Sequence, residues 1–183
     1  MKHALVFVFF CALSLFKAQE STALSYSEVI KLSDSTKSSK LLYASAKMWF
    51  TQTFKDPKEV IILDDSNNNI IVGRGNMRYN SKIFSGSAAR QGWIGFDVQI
   101  ACKDGRYKYN FSNFTHEGKT YNYGLITTDP FLPTMKGMLM GGPENYKIRV
   151  TNELKETIKD RITILISELQ KTMEKPLTTK EEW

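Results

Sequence analysis

Residues 96–111 read FDVQIACKDGRYKYNF. Phe96, Val98, Ile100 and Cys102 alternate with Asp97, Gln99 and Ala101, and Tyr107, Tyr109 and Phe111 alternate with Lys108 and Asn110. Period-2 alternation over this length marks two strands, each with one apolar face. Asp104-Gly105 between them is a favoured two-residue type I′ hairpin turn. That turn pairs Lys103 with Arg106, and counting outward pairs Cys102 with Tyr107, Ile100 with Tyr109 and Val98 with Phe111. Every apolar residue then meets an apolar partner on one face of an antiparallel pair. Such a face must be covered by other elements of the chain.

Two segments supply the cover. Val150, Leu154, Ile158, Ile162, Leu165, Leu169 and Met173 recur every three or four residues, with Lys155, Glu156, Lys159 and Asp160 on the other side. This spacing predicts a long amphipathic helix over 146–174, stopped at Lys175-Pro176. Upstream, Leu42, Ala46, Trp49 and Phe50 form a second stripe in a helix that ends at Asp56-Pro57, with Ser33, Asp34 and Ser35 as cap candidates. Strands account for most of what remains. Leu24, Tyr26, Ile30 and Leu32 share one phase of a strand over 24–32, with Glu28 on the same phase at a partly solvated position. Val60–Leu63 and Ile70–Val72 flank the turn cluster Asp64–Asn69 as a hairpin, and Gly73 and Gly75 signal a bulge or a close approach of another backbone. Residues 80–91 are rich in small and polar side chains and read as a mobile loop. A further hairpin is expected at His116–Lys119. A two-residue turn there pairs Phe114 with Tyr121, whereas a three-residue loop brings Phe111 and Leu125 to one face. Residues 127–146 carry three Pro and three Gly without a clean period, and Met135–Met140 reads as a short helix or a covering loop. The order is α+β: an antiparallel sheet with an early helix and a long C-terminal helix on one face.

Residues 27–118 resemble a known family. The helix LLYASAKMWFTQTF (41–54), the strand-turn-strand KEVIILDDSNNNIIVGRG (58–75) and the strand pair ending KDGRYKYNFSNF (103–114) are similar, in order, to an uncharacterised bacterial domain of unknown function with a TATA-binding-protein-like fold. The resemblance implies a β-α-β(4)-α arrangement and exported proteins of Gram-negative bacteria. It implies no activity.

The chain has 183 residues, 25 Lys and Arg against 19 Asp and Glu, two Cys and two His. Residues 1–18, MKHALVFVFFCALSLFKA, combine a short basic start, an apolar run from Ala4 to Phe16 and a small residue before Gln19. This is the pattern of a secretory leader cut after Ala18, and the run is too short for a membrane-spanning helix of about 20 residues. The expected organisation is a leader at 1–18, one domain over 19–175 and a polar tail at 176–183. Loss of the leader removes Lys2, Lys17, His3 and Cys11. The net charge then falls from +6 to +4, and Cys102 and His116 remain as the only residues of their types.

That inventory excludes several chemistries. One Cys and one His cannot supply a zinc site, a disulfide framework or alternative His-based nucleophile pairs. His116 is placed at an exposed hairpin turn, a poor position for a general base. Asp65-x-Asn67-x-Asn69 lacks the Gly and Glu of a calcium loop, where Ile70 and Asn76 stand instead. Gly73-Arg74-Gly75 and Met140–Pro143 lack the remainder of a phosphate-binding fingerprint. No cofactor is implied. Basic residues are interleaved with acids, without the cluster that binds nucleic acid.

Two functional expectations stand. One is a non-enzymatic protein of the periplasm or cell envelope whose sheet or edge binds a protein, peptide or surface partner. The other is a carrier of a small apolar ligand between sheet and C-terminal helix, with Trp49, Tyr107, Tyr109 and Phe111 lining the pocket and Met138 and Met140 as a flexible lid.

Overall fold

The computed structural model describes residues 21–136 and 142–175. The leader at 1–18, Met138, Met140 and the tail at 176–183 lie outside the described residues. The strands are β1 (Tyr26–Lys31), β2 (Ile61–Asp65), β3 (Ile70–Tyr79), β4 (Gly92–Lys103), β5 (Arg106–Gly118) and β6 (Gly124–Leu125). The helices are α1 (Ser39–Thr53), the single turns α2 (Pro57–Val60) and α3 (Ser87–Arg90), and α4 (Glu144–Glu174). The sheet is antiparallel in the order β1-β5-β4-β3-β2, and β6 pairs with β5 beyond the end of β1.

The register expected for the central hairpin is the one observed, from Lys103↔Arg106 through Cys102↔Tyr107 and Ile100↔Tyr109 to Val98↔Phe111. The turn itself differs from type I′. Gly105 takes φ +67, but Asp104 is not among the positive-φ residues. Contacts from outside the hairpin set the turn: Asp104 Oδ1 accepts from the Ser39 amide at 2.6 Å, Gly105 N donates to Lys37 O at 2.9 Å, and Leu32 N donates to Gly105 O at 3.0 Å. A Cβ at Gly105 would lie 2.8 Å from Ser35 O, so this close approach requires glycine. The same region corrects the helix start: Ser38, not Ser33, Asp34 or Ser35, caps α1, accepting from the Leu41 amide.

Beyond Phe111 the alternation of β5 changes phase. Gly95↔Thr115 and Asp97↔Ser112 leave one residue on β4 facing two on β5, and Asn113 adopts φ 57. This bulge turns Phe114 and His116 back to the face that Tyr107, Tyr109 and Phe111 occupy. As a result β5 continues through the expected turn to Gly118, and neither hairpin geometry expected at 116–119 forms. Thr115 pairs with Leu125 and His116 with Gly124 instead.

α1 and α4 cover one face. Leu42, Ala46, Trp49 and Phe50 from α1, and Val150, Leu154, Ile158, Ile162, Leu165, Leu169 and Met173 from α4, are buried against Ile71, Ile94, Phe96, Val98, Ile100 and Phe111. Each Val, Leu, Ile, Phe or Met among them contributes about 1.5–3 kcal/mol of apolar burial. The expected bulge lies opposite Gly73, where Ile62 of β2 is the extra residue between Ile61↔Gly73 and Leu63↔Val72, and the space that Gly73 and Gly75 leave is taken by rings of this layer rather than by another backbone. A Cβ on Gly73 would lie 2.4 Å from Phe50 Cε1, and one on Gly75 would lie 2.7 Å from Phe96 Cζ. Two charged residues fasten the ends of α4. Buried Lys37 donates from Nζ to the carbonyls of Met173, Glu174 and Lys175 at 2.9, 2.7 and 3.2 Å, capping the C-terminus where the helix dipole favours a cation. Near the other end, Glu153 accepts from Tyr79 OH and Ser81 Oγ, each at 2.6 Å, and from the Lys82 amide.

The segment expected as a mobile loop at 80–91 is therefore tied down. It contains α3, and Arg90 within it is fully buried, donating to Ser81 Oγ, Ile83 O, Ser85 O and Tyr146 OH. A buried guanidinium needs this many acceptors, and the loop backbone wraps it to supply them.

The glycines separate the two faces experimentally. Gly73→Ala should lower the free energy of unfolding by about 1–3 kcal/mol, because Phe50 must move. Gly95→Ala, whose Cβ meets nothing nearer than 3.9 Å, should stay within about 0.5 kcal/mol of the parent in urea denaturation.

Candidate functional site

The sequence places an apolar pocket beneath α4. Trp49, Tyr107, Tyr109 and Phe111 are all buried on the helix-covered face. Trp49 packs edge-on to Phe50 at 5.0 Å, to Phe54 at 5.7 Å and to Phe111 at 6.4 Å, while Tyr109 tilts against Phe111 at 5.9 Å. The structure thus brings these four residues together as rings of one core layer. Tyr109 OH donates to Glu28 Oε2 at 2.9 Å, which accounts for a carboxylate on the apolar phase of β1: Glu28 is exposed and receives the phenol. Burial, reinforced by this hydrogen bond, pushes the Tyr109 phenol up to about 12.

The other face of the sheet carries no helix among the described residues, and a trough of about 560 Å³ opens on it. Three central strands build it. β4 contributes Trp93, Gly95 and Asp97 at successive same-face positions, β3 contributes Arg74 and Asn76, and β5 contributes Asn113, Thr115 and Glu117. Gly95 forms the floor, because a strand residue without a side chain leaves a gap between its neighbours. Trp93 stands at one end, 48% exposed, with the Arg78 guanidinium 5.1 Å from its ring. Asp97 stands at the other end. Arg74 Nε donates to it at 2.8 Å and Asn113 Nδ2 at 2.7 Å. The hydrogen bond from Arg74, then that from Asn113, holds the Asp97 carboxyl below its ordinary value, so it is ionised at neutral pH. Asn113 reaches Asp97 because the bulge rotates it out of the alternation of β5. A non-glycine residue in the left-handed region costs on the order of 1 kcal/mol, and Asn tolerates it best. The trough combines an aromatic wall, an open floor and an ionised acceptor flanked by amide, hydroxyl and guanidinium donors.

None of these open-face residues was among the sequence candidates. One signal was available: Trp93 is an aromatic on the polar phase of a strand whose apolar phase was already filled.

The two reactive residue types sit elsewhere. Cys102 is buried, and burial pushes its thiol up to about 12, so it is a thiol and not a thiolate at neutral pH. His116 corrects the expectation of an exposed turn. It lies on the inner side of β5, fully buried, edge-on to Tyr79 at 5.2 Å and stacked on Tyr123 at 5.0 Å. Its Nε2–H donates to Arg90 O at 2.8 Å and its Nδ1 accepts from the Tyr123 amide at 3.3 Å. Both nitrogens of a neutral ring are used, which makes it a structural residue. No group of His, Cys and carboxylates among the described residues is arranged to hold a metal ion, and no helix among them is long and apolar enough to cross a membrane.

Comparison with known proteins bears on the fold. The family described as a domain of unknown function (DUF4468) with TBP-like fold matches residues 26–117. The chain belongs to that family. The match runs from β1 through β5, and therefore includes every strand of the trough. Two solved structures share the fold. A DUF4468 family protein from Bacteroides ovatus is similar with a TM-score of 0.59 and 13% identity, over 86% of this chain and 90% of that one. A TBP-like protein from Parabacteroides distasonis is similar with a TM-score of 0.53 and 11% identity, over 81% of this chain and 93% of that one. No curated protein matches. At these identities the likeness is one of fold, and it extends to α4 although the family match ends at residue 117.

His116 makes a testable contribution to pH dependence. Burial holds its pKa below the ordinary 6.5, so the unfolded chain takes up the proton first. The stability it contributes is complete above 6.5 and is lost as pH falls through that value toward the folded pKa. Urea denaturation of the parent should weaken between about pH 7 and pH 5, and His116→Gln should show a flatter profile over that window.

Proposed function

We propose that this protein is an exported, non-enzymatic binding module that reads its partner with the open face of its sheet. The observation that carries this reading is the trough over Gly95, walled by Trp93 and the Arg74–Asp97–Asn113 cluster, on the face that α1 and α4 leave uncovered. Export is supported by residues 1–18, whose basic start, apolar run and small residue before Gln19 match a cleaved leader. A binding role without catalysis is supported by the use of Cys102 and His116: each is buried in the core, on the side of the sheet opposite the trough.

A carrier of an apolar ligand is the competing reading. It would place the ligand among Trp49, Tyr107, Tyr109 and Phe111, but Phe111 packs against the rings of both Trp49 and Tyr109, and Tyr107 is buried in the same core. The packing favours the open face.

Gly95 supplies the test. A side chain at this position enters the trough without meeting the fold, so Gly95→Phe should block binding and keep the parent Tm. The purified protein is screened by thermal shift against sugars, amino acids, short peptides and nucleotides. A solute at ten times its Kd adds about 1.4 kcal/mol, a Tm rise of roughly 3–6 °C for a domain of this size. The expected outcome is a solute that raises the parent Tm and leaves Gly95→Phe unmoved. Equal shifts in both proteins would place the site elsewhere. Mass spectrometry of the exported protein should find Gln19 as its first residue.

A further inference from the structure

We infer that the trough on the open face takes a neutral oligosaccharide, with one pyranose ring stacked on Trp93 and hydroxyls bonded to Asp97, Asn113, Asn76 and Thr115. This rests on the reading of the open face as the binding surface and specifies its ligand class.

Trp93 and Asp97 are four residues apart on β4, about 13 Å by the rise of a strand, which is the length of a disaccharide. Between them Gly95 leaves the floor bare, with no heavy atom nearer than 3.9 Å to a built Cβ. The indole at the end of this floor is held by the Arg78 guanidinium at 5.1 Å. An aromatic ring fixed in position offers an apolar surface at little entropic cost, and the C–H face of a pyranose is a flat apolar surface of matching size.

The charges discriminate further. Asp97 and Glu117 disfavour an anion, and Arg74 and Arg78 disfavour a cation, so the trough suits a ligand without net charge. An apolar ligand would strip water from the ionised Asp97 and the two asparagine amides without replacing its hydrogen bonds. A ligand with many hydroxyls both donates to carboxylate and amide oxygens and accepts from amide and guanidinium N–H groups, so every polar wall group finds a partner. A peptide recognised by strand addition would engage the outer edge of β3, which no strand among the described residues pairs beyond Gly73, whereas the trough is a side-chain surface over Gly95 and offers a ligand no ladder of backbone groups. A nucleic acid would need phosphate neutralisation by a single-signed basic surface, and two carboxylates stand in this one.

The geometry of Asn113 agrees with a site of this kind. The bulge adopts a left-handed asparagine and aims its amide at Asp97 Oδ2 at 2.7 Å. Bulges that redirect one side chain onto a surface recur beside binding sites. Here the bulge fixes one carboxylate oxygen and the donor beside it in register with the gap over Gly95.

The test titrates the full exported protein with cellotetraose, maltotetraose, xylotetraose and chitotetraose, each to about 10 mM, ten times a Kd of about 1 mM. Binding is followed by indole fluorescence and by amide shifts of Gly95, Thr115 and the Asn113 side chain. At least one tetrasaccharide should give a saturable response at all three positions. Trp93→Ala should weaken it by at least about tenfold at unchanged Tm, because Trp93 is a surface residue, and Asp97→Asn should weaken it by about tenfold. Absence of a saturable response to all four sugars overturns the assignment, as does a response that survives Trp93→Ala. If Gly95→Phe blocks a peptide or a nucleotide while no sugar binds, the ligand class falls and the open-face reading stands. If a sugar binds and Gly95→Phe leaves its affinity unchanged, both fall.

Discussion

The architecture hangs on a set of hydrogen bonds around Lys37 and Gly105. The tip of the central hairpin donates to Lys37 O and accepts from Leu32 N, Asp104 receives the first amide of α1, and the Lys37 side chain crosses to three carbonyls at the end of α4. One point thereby joins the exit of β1, the β4–β5 turn, the start of α1 and the end of α4. These elements are far apart in sequence, and only α1 follows β1 closely. A main-chain contact at the tip sets the position of the hairpin, and the buried ammonium caps α4 at the end that the Lys175-Pro176 step sets. Charge-assisted bonds in a buried setting are geometrically strict, so the long helix is held along its axis as well as pressed onto the sheet.

With both long helices committed to one side, the sheet has one face filled by rings and one face left to solvent. The two faces place opposite demands on glycine. On the covered face Gly73 and Gly75 make room for Phe50, Phe54 and Phe96. On the open face Gly95 makes room for nothing within the molecule. That contrast locates the hollow. The Asn113 bulge serves both faces at once: it restores Phe114 and His116 to the core and turns one amide toward Asp97. A strict alternation through residue 116 would have placed Asn113 inside and Phe114 outside.

Much of this was legible in the chain. The alternation of 96–111 set the register of β4 and β5, because a slip by one residue would expose every ring. The stripes at 42–50 and 150–173 set two helices and their inward sides. Three features were misread for one reason: each depends on a partner distant in sequence. The small polar residues of 80–91 suggest mobility, but Tyr146 and Glu153 of α4 bind that segment through Arg90, Ser81 and the Lys82 amide. His116 beside Glu117-Gly118 suggested a turn, but the bulge carries β5 onward. Ser33–Ser35 looked like the cap of α1, but the contact between Asp104 and Ser39 delays the helix.

By itself, then, the sequence determined the register of the central hairpin, the helical stripes, the fold class and the family, because period-2 and period-3.6 patterns are local and burial enforces them along an element until a bulge interrupts it. Only the tertiary structure decided which glycine faces an empty space, which polar phase gathers Trp93, Asp97, Asn113 and Thr115 into one trough, and which charged residues are spent holding α4. Those outcomes depend on the order in which strands lie side by side and on one inserted residue in β5. A face assembled across three strands has no counterpart in the linear spacing of its residues.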